Sequence, residues 1–164
     1  MAAYNTVIDG EFRRLKQMRD NQVSEEIMDF LEKAHWDLKF RGISNPSGPF
    51  NRSLIHYAAM GDCKELLLQL LVIRTPINPR DGDKRTPLSW ATQYGSYVTA
   101  RILVENGADI NALDNMYLTP LSRLLQQDKA ETNHYQALKL YLEKNGATRK
   151  GRKRAWIMRR IGLL

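Results

Sequence analysis

The stretch TPLSWATQYGSYVTARILVENGADIN, residues 86–111, carries the plan of two short helices and a turn. Pro87 stands where a helix starts, and its missing N–H costs nothing there because first-turn donors have no intrahelical partner. Thr86 before it supplies a side-chain oxygen that can cap those donors. Leu88, Ala91 and Thr92 line one side of this helix, and Gly95 ends it near Tyr94. Val98, Ile102 and Leu103 then give the apolar stripe of a second helix. Gly107 is a natural left-handed stop after it. Ile110 is expected to start a short extended segment that leads to a turn at Asp114-Asn115.

The plan repeats. Thr86-Pro87-Leu88-Ser89 recurs 33 residues later as Thr119-Pro120-Leu121-Ser122, and 33 residues earlier the same place opens with Ser53 in SLIH. Asn78 and Asp81 likewise recur as Asn111 and Asp114. Asn106-Gly107-Ala108 recurs as Asn145-Gly146-Ala147, spaced 39. The six extra residues fall between Leu125 and Ala137, in an expected loop QQDKAETNHY that includes His134. In the first repeat Ala58 and Ala59 allow close helix packing, Gly61-Asp62 breaks the chain, and Leu66 to Leu71 form the outer helix. A fixed period of this length marks a solenoid, in which each unit buries its apolar face only against its neighbours.

SLIHYAA (53–59), TPLSWAT (86–92), TPLSRLL (119–125) and GADIN (107–111) resemble the signature of ankyrin repeats. The TPLSWA form is similar to that of many fungal ankyrin proteins. The resemblance implies an all-α solenoid of about three repeats over 53–148. It implies no cofactor and a function in binding other proteins. Two departures matter. Ser89 and Ser122 stand where the family has histidine, so bonds between neighbouring turns should be weaker there. Leu124-Leu125 replace small alanines, so the third inner helix is expected to sit further out.

Residues 1–52 form an N-terminal segment. Phe12, Leu15 and Met18 show helical spacing in 11–20. Ser24 precedes Glu25-Glu26, a cap with acids in the first turn, and Ile27, Phe30, Leu31, Ala34 and Leu38 follow a 3.6-residue period. This pair resembles a diverged repeat that caps the stack. GISNPSGPFN (42–51) reads as a loop, with Phe50 expected to plug it to the body. Residues 149–164 form a basic tail, RKGRKRAWIMRRIGLL. Arg149, Lys150, Arg152, Lys153 and Arg154 lead a partly apolar run containing Trp156. It reads as a final helix covering the open end of the solenoid, as a nuclear-import or nucleic-acid patch, or as a membrane-surface helix. Docking of Trp156 is expected against Leu138, Tyr141 and Leu142, which would otherwise face solvent.

Charge separates the tail from the body. The 164 residues carry a formal net charge of +7, and residues 145–164 hold seven Lys or Arg and no acid, so the body sums to zero. A uniformly basic nucleic-acid-binding domain is excluded. The single cysteine, Cys63, excludes an internal disulfide and argues against a cysteine zinc site. The N-terminus lacks the basic-then-apolar pattern of a signal peptide, and the run LLLQLLVI (66–73) is far short of the roughly 20 residues a membrane helix needs. A soluble protein of the cytoplasm, or of the nucleus, is expected.

Catalytic constellations are missing. His35, His56 and His134 lie in separate segments without metal-binding spacing, and no phosphate-cradling glycine loop occurs. His56 occupies the family's histidine place and should bond a neighbouring turn. His35, beside Trp36, is expected to be a packed or surface residue. A non-enzymatic adaptor or inhibitor is the reading, with a nuclear or nucleic-acid-associated protein acting through its tail as the alternative. The family's variable recognition positions imply a partner face. In the turns these are Arg80, Asp83 and Arg85, then Leu113, Asn115, Met116 and Leu118. Tyr117 stands where the family has glycine. At the inner-helix ends they are Gln93 and Tyr94, then Gln126 and Gln127. Trp90 is expected in the core.

Overall fold

In the computed structural model, residues 2–17, 25–42, 47–127 and 132–149 are described. They form eight α-helices and a 3-10 turn, with no strand among the described residues. In chain order these are α1 (Ala2–Lys16), α2 (Glu25–Arg41), the 3-10 turn Pro49–Asn51, α3 (Leu54–Met60), α4 (Lys64–Val72), α5 (Pro87–Tyr94), α6 (Tyr97–Glu105), α7 (Pro120–Leu124) and α8 (Asn133–Lys144). The inner helices α3, α5 and α7 pack in a row, and α4, α6 and α8 pack behind them. Residues 110–111 are a turn, not an extended segment, because Ala112 N–H closes onto Asp109 O at 3.2 Å.

Local chemistry explains the helix ends. Thr86 Oγ1 accepts from Ser89 N–H at 3.3 Å, and Thr119 Oγ1 accepts from Ser122 N–H at 3.2 Å. Gly95 ends α5 in the left-handed region, at φ +69°. Gly107 takes φ +88° just past α6. A Cβ at Gly107 would meet open space, whereas one at Gly95 would lie 2.7 Å from the Tyr135 ring. Gly107→Val should therefore cost only the left-handed strain, about 1–2 kcal/mol. Gly95→Val should cost more, because Tyr135 must also move. Melting temperatures check this order: wild type highest, Gly107→Val lower, Gly95→Val lowest.

The core runs the length of the stack. Leu54, Ile55, Ala58, Ala59, Leu66, Leu67, Leu70, Ala91, Ala100 and Leu103 are all fully buried. The alanines let the helix rows approach closely, as dense packing requires. Polar bonds stitch neighbouring repeats. Ser96 Oγ donates to Met60 O at 2.9 Å, and Asp62 Oδ1 accepts from Thr99 N–H at 2.9 Å. Asn78 Oδ1 accepts from Asp109 N–H at 2.9 Å, and Asn111 Oδ1 accepts from Thr148 N–H at 2.8 Å. The recurrence of these asparagines thus has a structural reason.

The N-terminal pair departs from the expected plan. α1 starts at Ala2, well before the segment read as helical, and Met18 lies outside the described residues. α1, the first helix of the pair, lies against α4 in the outer row. α2 lies against the 3-10 turn and the inner row, with the Phe30 ring 5.7 Å from that of Tyr57. In every later pair the inner helix comes first, whereas here it is the first helix, α1, that lies against the outer row. Glu11 fixes it by accepting from Glu65 N–H at 3.1 Å and Leu66 N–H at 2.6 Å, at the start of α4. Asp9 bonds His35 Nε2 at 2.7 Å and Lys39 Nζ at 3.0 Å. The Lys39 ammonium, and then His35, hold the Asp9 carboxyl below its usual range. His35 also stacks on Phe12 at 4.3 Å.

The far end differs too. α7 is five residues long, ending at fully buried Leu124, so the leucines meet a shortened helix. α8 begins at Asn133, which places His134 on a helix and not in a loop. Leu138 and Leu142 are fully buried on the side of α8 that packs on α6 and α7, while Leu140 opposite is 64% exposed. Of the expected solvent-facing stripe, Leu138 and Leu142 are thus inside and Tyr141 is half-buried. Trp156 lies outside the described residues.

Candidate functional site

Three turns project from the inner-helix side with one geometry. Each closes by an N–H of its first residue onto the carbonyl four residues on: Gly48 to Arg52 at 2.7 Å, Asp81 to Arg85 at 3.0 Å, Asp114 to Leu118 at 3.1 Å. Gly82 N–H donates to Phe50 O at 2.8 Å, and one period later Asn115 N–H donates to Asp83 O at 2.9 Å. The turns are thus joined tip to tip. Arg80 Nη1 bridges the carbonyls of Lys84 and Leu113, and Asn115 Nδ2 donates to Asp83 Oδ1 at 3.1 Å.

A buried carboxylate organises each of the last two turns. Asp81 Oδ1 accepts from Asp83 N–H at 3.0 Å and Arg85 N–H at 2.8 Å; Asp114 Oδ1 accepts from Met116 N–H at 2.8 Å and Leu118 N–H at 2.9 Å. The other oxygen serves the residue nine positions on. Trp90 Nε1 donates to Asp81 Oδ2 at 2.8 Å, and Arg123 Nε to Asp114 Oδ2 at 2.6 Å. Arg52 Nε adds a longer bond to Asp81 Oδ2 at 3.5 Å. The first turn has Gly48 in the aspartate's place, its backbone against the Phe30 ring. Tyr57, which precedes Trp90 by one period, accordingly has no acceptor for its buried hydroxyl.

Trp90 is core, as expected, at 2% exposed. The guanidiniums of Arg52 and Arg85 lie over its ring, 4.2 and 4.5 Å from the centroid, where the ring's negative face attracts them. His56 makes the expected bond between turns. Its Nδ1 accepts from Ser53 N–H at 3.1 Å, so Nε2 carries the proton and donates to Arg85 O at 3.3 Å. Ser89 and Ser122, in its place, stay within their own turns, on Thr86 and Thr119. Burial holds the His56 imidazole below its ordinary value of 6.5. The unfolded chain therefore takes up this proton at a higher pH than the folded one. Stability should fall as pH drops below about 6.5 and level off below the folded-state value. Denaturant midpoints at pH 7 and about pH 5 should show this step. His56→Ser, with the residue already used at 89 and 122, should be less stable at pH 7 and lack the step.

The expected partner positions divide. Met116 is 61% exposed and Asn115, Arg80 and Gln126 are exposed. Asp83, Arg85, Gln93, Tyr94, Leu113, Tyr117 and Gln127 are half-buried. Leu118 is corrected: at 3% exposed it packs beneath the turn and offers no surface. Phe50 is also corrected. It does not plug the loop but stands 59% exposed at a turn tip, one period before Asp83 and two before Met116, with the Arg52 guanidinium 4.9 Å from its ring. At the following position Asn51, Lys84 and Tyr117 all hold a positive φ, of 57°, 59° and 57°. The 33-residue period itself was the signal that places Phe50 on this ridge.

Cys63 is buried, and desolvation pushes its thiol up to about 12, which makes it unreactive. Among the described residues no group of three or more His, Cys, Asp or Glu could hold a metal ion. No helix among them is long and apolar enough to cross a membrane. Of the basic tail only Arg149 is described, and its Nη2 donates to Glu143 Oε1 at 3.2 Å. Lys150, Arg152, Lys153 and Arg154 lie outside the described residues.

A stack of helix pairs joined by such turns defines a class, the solenoid scaffold, whose repeats present an extended binding surface. The family model for ankyrin repeats (3 copies) matches residues 21–114, more than half of the chain, and this chain belongs to that family. It is similar to the protein glp-1 of Caenorhabditis elegans, 34% identical over 68 residues, covering 42% of this chain and 5% of glp-1. A transient receptor potential cation channel subfamily A member 1 homolog of the same organism is 37% identical over 71 residues, 43% of this chain and 6% of the channel. The potassium channel KOR2 of Oryza sativa subsp. japonica is 44% identical over 57 residues, 35% of this chain and 8% of KOR2. The chain thus matches a small part of each relative. Ankyrin repeats mediate binding between proteins, and that general function holds here.

Proposed function

We propose that the ridge of turn tips and the adjoining ends of the inner helices are the face on which this chain binds a partner protein, as an adaptor or inhibitor. The observation that carries this is Met116-Tyr117. A tyrosine in the left-handed region costs of order 1–3 kcal/mol, and strain of this kind persists at sites where a side chain is needed. Tyr117 holds φ +57° in the position where the family uses glycine, next to a methionine 61% exposed. Aromatic residues and methionine are enriched in interface cores.

Tyr117→Gly separates stability from binding. The melting temperature should stay the same or rise, because glycine adopts this conformation without strain. Recovery of the natural partner from cells should fall. A variant that melts lower and retains its partner would reverse the reading. The pair α1–α2 closes the apolar end of α3 and α4 in this account, as an N-terminal cap. Its support is the Glu11 clamp on α4.

A further inference from the structure

The charges on the ridge do not balance. Asp81 is spent on Trp90 and Arg52, and Asp114 on Arg123. Arg85, between them, has no carboxylate within hydrogen-bond distance: the nearest ion pair is Asp83 Oδ2 at 4.0 Å, and its buried Nε has no partner. Its Nη1 reaches only the neutral Gln93 amide, at 3.2 Å. Burial, and then the nearby Arg123 guanidinium, draw the Arg85 pKa below its ordinary value. A guanidinium largely out of water whose carboxylate comes no nearer than 4.0 Å is only partly compensated, and a carboxylate at hydrogen-bond distance would recover more of that cost. The middle turn also exposes Arg80 and Lys84 against the single acid Asp83. On either side of this cationic turn stand the exposed apolar tips Phe50 and Met116.

We propose that this ridge takes an acidic segment of a partner protein, with an Asp or Glu carboxylate paired to Arg85 and apolar side chains seated on Phe50 and Met116. The inference rests on the turn ridge being the binding face, and it adds the chemistry of what binds. The planar guanidinium is held in place by its stack on Trp90, so little ordering is needed for its outer N–H groups to meet a carboxylate. Apolar residues flanking the acid would exclude water from that pair.

A library of random short peptides displayed on phage, selected on the full chain, tests this. Wild type should enrich Asp and Glu with apolar residues on either side. Arg85→Glu should shift the enrichment to Lys and Arg, and Lys84→Glu, an exposed change that spares the Trp90 stack, should shift it the same way but less. Individual wild-type peptides should bind Arg85→Gln at least about tenfold more weakly and lose affinity with salt. Phe50→Ala with Met116→Ala should abolish the apolar preference and keep the acidic one. No acidic enrichment, or the same peptides from wild type and both charge-reversed variants, would overturn the proposal, as would no binder above background. Peptides without acids whose binding is lost in Met116→Asp would leave the ridge as the binding face and remove only its acidic preference. Peptides indifferent to every one of these substitutions would remove both.

Discussion

Asp81→Ala is expected to remove about 3–5 kcal/mol of stability, the cost of breaking a buried ion pair from one side. The carboxylate is nearly sealed, and it holds two turn N–H groups, the Trp90 indole and the Arg52 guanidinium. Alanine would leave all four donors short of an acceptor, with Arg52 buried at 5% exposed. Domains have a total stability of about 5–15 kcal/mol, so the variant should be close to unfolded at growth temperature. A denaturant midpoint that moves by less than about 1 kcal/mol equivalent would mean the turn is held by its backbone alone.

Trp90→Ala is the second large effect, also about 3–5 kcal/mol, from loss of the largest fully buried side chain among the described residues and the cavity left behind. Part of this loss is shared with Asp81→Ala, because the Nε1–Oδ2 bond is broken by either change. The double variant should therefore lose less than the sum of the two, by about 0.5–3 kcal/mol. Strict additivity would show that the indole and the carboxylate do not act as a unit. Both measurements concern the scaffold that aims Arg85, since its guanidinium lies over the same ring.

Much of this scaffold was legible in the residues. The threonine caps, the left-handed Gly95 and Gly107, the inter-turn His56 and the buried Trp90 all follow from chemistry local to one repeat or copied from the next. A 33-residue period places a residue wherever its equivalents sit. What was not legible depends on contacts the period does not encode. Nothing in the spacing of Ile27, Phe30 and Leu31 says whether their helix joins the inner or the outer row; the Phe30–Tyr57 contact and the Glu11 clamp decide it. The polar surroundings of His134 point to a loop, yet α8 takes it in at its second position. Leu118 sits in a turn rich in exposed residues and is still buried, at 3% exposed, whereas Met116, tied to the same Asp114 oxygen, is 61% exposed; nothing in the run of residues separates the two. The unbalanced charge of Arg85 needed distances, since the sequence around it, DGDKR, has acids close by.

The binding face is tested most directly by photo-crosslinking from single positions. A benzoyl-phenylalanine placed at position 50 or 116 sits on the ridge, where Phe50 and Met116 are 59% and 61% exposed. The same residue at position 72 or 140 sits on the outer helices α4 and α8, where Val72 and Leu140 are 80% and 64% exposed. Illumination in living cells should trap one partner protein from positions 50 and 116 and not from 72 or 140. The same partner trapped from 72 or 140, with positions 50 and 116 silent, would place the interface on the outer helices and contradict the account.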